Sequence, residues 1–170
     1  RQILSELAAQ MGDKGKVAVL AGNQNAPNLQ GRVRGIRDEA TKHPNITLVN
    51  TFYHSETPQD AAAEVLRVKN AYPDIAGWAM VGGWPLFTTA LLTDLDPAKV
   101  KIVAIDALPV ELPYVERGLA PVLLAQPIFS WGYESVKTII DKIHFKKEVP
   151  PHVMMNLIRV SKDNLGDWAR

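Results

Sequence analysis

The sequence predicts an α/β fold, a Rossmann-like three-layer α/β/α arrangement around a mostly parallel sheet. Two observations predict it. Five short apolar runs (KVAVLAG, ITLVNTFY, IAGWAMV, KIVAI and PVLLA) alternate with stretches of helical periodicity. Each run is followed by polar or aromatic residues at the mouth of a helix: Asn23-Gln24-Asn25, His54-Ser55-Glu56, Gly82-Gly83-Trp84, Asp106 and Gln126. In an open parallel sheet these sites share the carboxyl edge of the strands, where such folds bind ligands.

The elements follow in order. Ile3, Leu4, Leu7 and Ala8 recur at helical spacing, and Gly12-Asp13 ends that helix. The first strand covers 16–21. A second helix over 28–43 carries Leu29, Val33, Ile36 and Ala40 on one face, with Pro44 beyond its end. The second strand is 46–52. Thr57-Pro58-Gln59-Asp60 then supplies an N-cap, a proline at the first helical position and an acid at the third. That helix carries Ala62, Val65, Leu66 and Val68 and stops near Tyr72-Pro73. Strand three, 75–81, leads to a helix that opens at Trp84-Pro85, reaches Leu92 and is closed by Leu95-Asp96-Pro97. Strand four (101–105), a short helix (110–117) and strand five (121–125) come next. A long helix over 129–144 is expected to bury Val136, Ile139, Ile140 and Ile143. An extended stretch, 153–160, and a turn around 163–168 finish the chain, and 146–151 is the one credible joint.

The 170 residues suffice for one domain with a full core. A net charge of +1 argues against a dedicated nucleic-acid surface, and Arg32, Arg34 and Arg37 as a group read as a solvated helical face. The absence of cysteine excludes disulfides, zinc–thiolate sites and a cysteine nucleophile, and suits an oxidising compartment. No apolar run approaches the roughly 20 residues that span a bilayer. The chain opens on Arg1 without a signal peptide, so an upstream segment is expected.

Enzyme signatures are missing. Gly22-Asn23-Gln24-Asn25 matches neither a dinucleotide fingerprint nor a P-loop, so no cofactor is expected. Ser130 and Ser135 have no paired histidine, and His43, His54, His144 and His152 lack metal-ligand spacing. Asp106 lacks the acidic cluster a phosphoacceptor would need. The strand ends suit a neutral polyhydroxyl ligand instead. Its rim of donors and acceptors calls for planar bidentate groups, and its C–H faces call for an aromatic ring. Asn25, Arg34, Trp84, Asp106 and Gln126 form that set. Each has a structural alternative: Asn25 or Asn28 capping the second helix, Arg34 as a solvated charge, and Trp84 in the core with Phe87 and Leu91. Asp106 could cap the following helix, and Gln126 before Pro127 could serve only to bend the chain.

Three segments resemble the periplasmic sugar-binding proteins of ABC transporters, in the type I group that includes ribose-binding protein. They are GKVAVLAG (15–22) with NQNAPN and Arg32-Val33-Arg34-Gly35, IVAID (102–106), and LAQP (124–127). The resemblance is to the C-terminal lobe and implies that Arg34, Asp106 and Gln126 contact a sugar. It divides the chain into a ligand-binding lobe (1–126), a helix that packs on an N-terminal lobe (127–146), and a returning strand with a terminal turn (147–170). It implies a periplasmic location and an ABC permease or chemoreceptor as partner, with no nucleic acid. The long helix would expose an apolar face and could drive self-association unless the N-terminal lobe covers it. Two departures concern the ligand. Gly82-Gly83-Trp84 stands where the family usually has Asn-Asp, and Glu56 stands where ribose binders often carry an aromatic. A deoxyhexose, a polyol or a furanosyl compound fits as well as ribose. The rival readings are the effector-binding core of a LacI-type transcription regulator and a flavodoxin-like α/β enzyme.

Overall fold

The computed structural model describes residues 1–168. Six strands form one sheet in the order β2-β1-β3-β4-β5-β6: β1 (Gly15–Ala21), β2 (Ile46–Tyr53), β3 (Ile75–Met80), β4 (Lys101–Ile105), β5 (Val122–Ala125) and β6 (Ile158–Val160). The first five run parallel, and β6 pairs antiparallel with β5 through Leu123–Val160 and Ala125–Ile158. The strand order reverses between β1 and β3. That reversal opens a crevice at the carboxyl edge, the usual ligand position in open α/β sheets.

Alternate residues of each strand feed two cores, as the period-2 geometry of a strand requires. Val17, Val19, Ala79, Val103, Ile105 and Leu124 pack beneath α1 (Gln2–Met11) and α2 (Pro27–Ala40). Ala18, Leu20, Trp78, Met80, Ile102 and Leu123 pack on the other face, with α3 (Pro58–Ala71), α4 (Ala90–Asp94) and α5 (Leu112–Glu116). Both faces are covered, so the central strands are apolar throughout instead of alternating.

Local chemistry sets the boundaries. Gly12 closes α1 in the left-handed conformation at φ 65°. Thr57 caps α3 by accepting the Asp60 N–H at 3.1 Å. The expected helix over 84–92 is broken into a 3-10 turn, Trp84–Phe87, and α4. Thr88 between them is extended, and its carbonyl accepts the Tyr114 hydroxyl at 2.7 Å instead of continuing the helical ladder. The expected helix over 110–117 likewise divides into a 3-10 turn, Pro109–Glu111, and α5, whose first turn holds Pro113.

The long helix α6 (Ile128–Ile143) forms as expected but buries none of its residues. Val136, Ile139, Ile140 and Ile143 are all exposed, and Phe129 is 95% exposed. The expectation of burial fails because helical spacing gives a helix an apolar face without saying which body covers it. Among the described residues the returning segment 150–157 shares a depression with Trp131, Glu134 and Ile139 of α6, but it leaves the apolar face exposed. After α6 the chain returns as β6, tied to α1 by Arg159 Nε donating to Glu6 Oε2 at 3.1 Å. It ends in α7 (Leu165–Trp168).

Candidate functional site

Three side chains from separate elements meet at the carboxyl edge of the sheet. Arg32, on α2, donates from Nη1 to the Val81 carbonyl at 2.7 Å and from Nη2 to Gln126 Oε1 at 2.8 Å. Gln126, just past β5, donates from Nε2 to Asp106 Oδ1 at 2.7 Å. Gln126 bonds through both of its polar atoms and Arg32 through both Nη atoms, yet the guanidinium, amide and carboxylate each have donor or acceptor positions beyond these bonds. With Asn28, Glu56, Trp84 and Trp131, these residues line an open cleft of about 540 Å³.

Trp84 occupies the cleft wall because Gly82 permits it. A Cβ at Gly82 would overlap the Trp84 ring, so the indole folds back over the β3 end. The ring is half-buried and meets His54 edge-on, with centroids 5.2 Å apart. His54 Nδ1 accepts the Glu56 N–H at 2.9 Å, which leaves its proton on Nε2, buried without a partner among the described residues. Burial lowers the His54 pKa, so the ring stays neutral and acts as an aromatic support for Trp84. Glu56, at φ 62°, accepts the Asn23 N–H at 2.9 Å and joins the loops after β1 and β2.

The expected site residues fall in different places. Trp84, Asp106 and Gln126 converge on one cleft. Arg34 does not join them: it is exposed and lines a separate depression with Gln24, Gln30, Arg37 and Tyr53. The reason is helical phase. Leu29, Val33 and Ile36 mark the buried face of α2. At 3.6 residues per turn Arg32 lies only about 60° from Leu29, whereas Arg34 lies about 140° away. The motif contains two arginines, and the phase of the apolar residues could have selected Arg32. The arginines are therefore not one solvated face, since Arg32 turns inward while Arg34 and Arg37 remain exposed.

Asn25 is exposed on the β1–α2 loop, where its N–H donates to Asn23 Oδ1 at 2.9 Å, and Asn28 is the asparagine that lines the cleft. Neither caps α2, whose N-cap is Ala26 with no side-chain bond. Asp106 does not cap the following turn. Glu111 does, reaching back from the third position so that Oε2 accepts the Leu108 N–H at 2.6 Å. Glu111 is wholly buried. Burial, with the charge of Asp106 adding to it, pushes its carboxyl up to about 8 despite the Leu108 N–H. Leu108-Pro109-Val110-Glu111 has the sequence form of a helix start with an acid at the third position, the one signal that could have singled it out.

Residues 1–147 match the family described as periplasmic binding protein domain. No curated protein sequence matches the chain. Among solved structures, an ABC transporter solute binding protein from Burkholderia graminis, in complex with D-arabinose, is similar with TM-score 0.88 at 21% identity. The match covers 99% of this chain and 60% of that one. A periplasmic solute binding protein from Actinobacillus succinogenes with bound D-allose gives TM-score 0.86 at 21% identity, covering 98% and 59%. One from Agrobacterium vitis, bound with alpha-D-tagatopyranose, gives 0.85 at 25% identity, covering 98% and 56%. The chain thus spans less than two thirds of the length of these relatives. It belongs to the periplasmic binding protein domain family.

Proposed function

We propose that this chain is the second lobe of an extracytoplasmic solute-binding protein that serves an ABC importer or a chemoreceptor. It contributes half of a site for a monosaccharide or related polyhydroxyl compound. The observation that carries this reading is the Arg32–Gln126–Asp106 chain beside the Trp84 ring. Arg32 and Gln126 offer N–H donors to hydroxyl oxygens, and Asp106 accepts from hydroxyl hydrogens. The indole covers a C–H face. Arginine and aspartate charges offset each other, which suits a neutral guest. Every role is binding, and none calls for turnover.

The open cleft and the bare face of α6 fit a partner lobe that closes over the ligand. The apolar residues of α6 would pack against that lobe, and closure would be the form the membrane partner recognises. Half of the hydrogen bonds would come from the other side. The chain alone therefore binds sugar weakly, in the millimolar range or worse, because each ~1.4 kcal/mol withheld is a tenfold loss. The test is a thermal-shift screen of monosaccharides, including D-ribose, D-arabinose and D-allose, on the two-lobed parent, followed by calorimetry. The expected result is a raised melting temperature with at least one sugar, lost in Asp106→Ala. No shift with any sugar, or micromolar affinity in the 170-residue chain alone, would overturn the reading.

A further inference from the structure

Asp106 has a backbone conformation, φ 83°, that a non-glycine residue seldom adopts. Such a conformation persists only where its surroundings over-determine it. On one side, the Asp106 N–H is held in the sheet by the Leu124 carbonyl at 3.0 Å. On the other, the next tethered unit is the Ala107–Leu108 peptide plane, and both of its polar groups are held. Its carbonyl accepts Trp168 Nε1–H at 2.7 Å, and its N–H donates to Glu111 Oε2 at 2.6 Å. Two fixed ends leave Asp106 and Ala107 to absorb the turn.

Glu111 is placed to do more than close a helix start. Its Oε1 has no hydrogen-bond partner among the described residues. It lies against Gly83, where a Cβ would overlap it, so the side chain sits between the β3-end turn and the β4-end loop. The titratable groups whose charge bears on this region are Asp106 at the β4 end and Tyr114 on α5. A neutral acid tolerates an unpartnered buried oxygen far better than a carboxylate does.

We propose that Glu111 is a positioning residue for the cleft: with Trp168 it locks the Ala107–Leu108 peptide plane and so aims the Asp106 carboxylate at Gln126. Its effect on ligand rests on the sugar-binding reading, but its effect on geometry does not.

The two parts separate experimentally. In the ligand-free chain, NMR follows the Leu108 backbone amide and the Gln126 side-chain amide, the reporter of the Asp106 bond. Glu111→Ala and Trp168→Phe should each move the Gln126 amide toward the position of a free amide. Glu111→Gln, which keeps an oxygen for Leu108 and stays uncharged, should leave it in place. If Glu111→Ala does not fold, Trp168→Phe and Glu111→Gln still decide. A Gln126 amide unchanged in the folded Glu111→Ala or Trp168→Phe protein overturns the proposal, as does one displaced in Glu111→Gln. In the two-lobed parent, calorimetry with D-ribose, D-arabinose and D-allose should give at least tenfold weaker binding for Glu111→Ala and a change within about twofold for Glu111→Gln. Equal weakening by both variants also overturns it. Failure of the wild-type parent to bind any sugar would sink the sugar reading while leaving the NMR result standing.

Discussion

Replacing Glu111 by Gln isolates what one buried proton does to the stability of the whole domain. The folded Glu111 carboxyl titrates at about 8, against 4.5 as its ordinary value. Between those values the folded chain holds a proton that the unfolded chain has released. Stability from this group is therefore fully present below the unfolded value and is lost as pH rises toward the folded one. At about 1.4 kcal/mol per unit of pH, going from about pH 5 to about pH 8 removes roughly 3–4 kcal/mol. That is a large part of the 5–15 kcal/mol typical of a domain. Gln cannot titrate, and any cost of fitting its amide beside Gly83 is independent of pH, so the difference between the two pH slopes isolates the proton. His54 works in the opposite direction. Its lowered pKa makes stability rise with pH until the ordinary imidazole value near 6.5 is passed, equally in both proteins. The assay is urea unfolding followed by circular dichroism at about pH 5, 6.5 and 8, for wild type and Glu111→Gln. The wild type should lose roughly 3–4 kcal/mol more than the variant across that range. Parallel pH profiles would mean that Glu111 is ionised in the folded chain, and the reasoning from its burial would be refuted.

Three further predictions bear on the cleft and the helix beyond it. Arg32→Ala should weaken sugar binding by the two-lobed parent at least tenfold, whereas Arg34→Ala should stay within about twofold; calorimetry giving the reverse order would return the role to Arg34. Gly83→Ala should destabilise the chain by about 1–3 kcal/mol, since its Cβ has no room beside Glu111 and Phe87. Thermal melts of a double-mutant cycle with Glu111→Ala should show favourable coupling, and simple additivity would mean that the two sites do not press on each other. The exposed apolar residues of α6 should make the isolated chain self-associate in light scattering. Ile140→Asp should shift it toward monomer, and a wild-type chain that is monomeric at high concentration would contradict this.

Some of this protein follows from the chain alone. Strand positions were legible because five apolar runs sit between turn and helix-start residues, and β4 matches its expected span of 101–105. The Thr57 cap and the Gly12 stop are local hydrogen-bonding and steric effects, decided within a few residues of sequence. The carboxyl edge as the address of the site follows from parallel connectivity, which alternation of elements already implies. Tertiary structure decided what depends on distant partners. Arg32 and not Arg34 meets Gln126, because two residues along a helix turn a side chain through more than half a circle while a motif records only order. Glu111 is buried because the loops after β3 and β4 close over it, and no local pattern states that. The helix expected over 84–92 broke at Thr88 because the Tyr114 hydroxyl, from a different element, took its carbonyl. The apolar spacing of α6 marks a face made for packing, and the resemblance already implied that this chain would leave it exposed; periodicity alone predicted burial, because it does not say which body provides the cover.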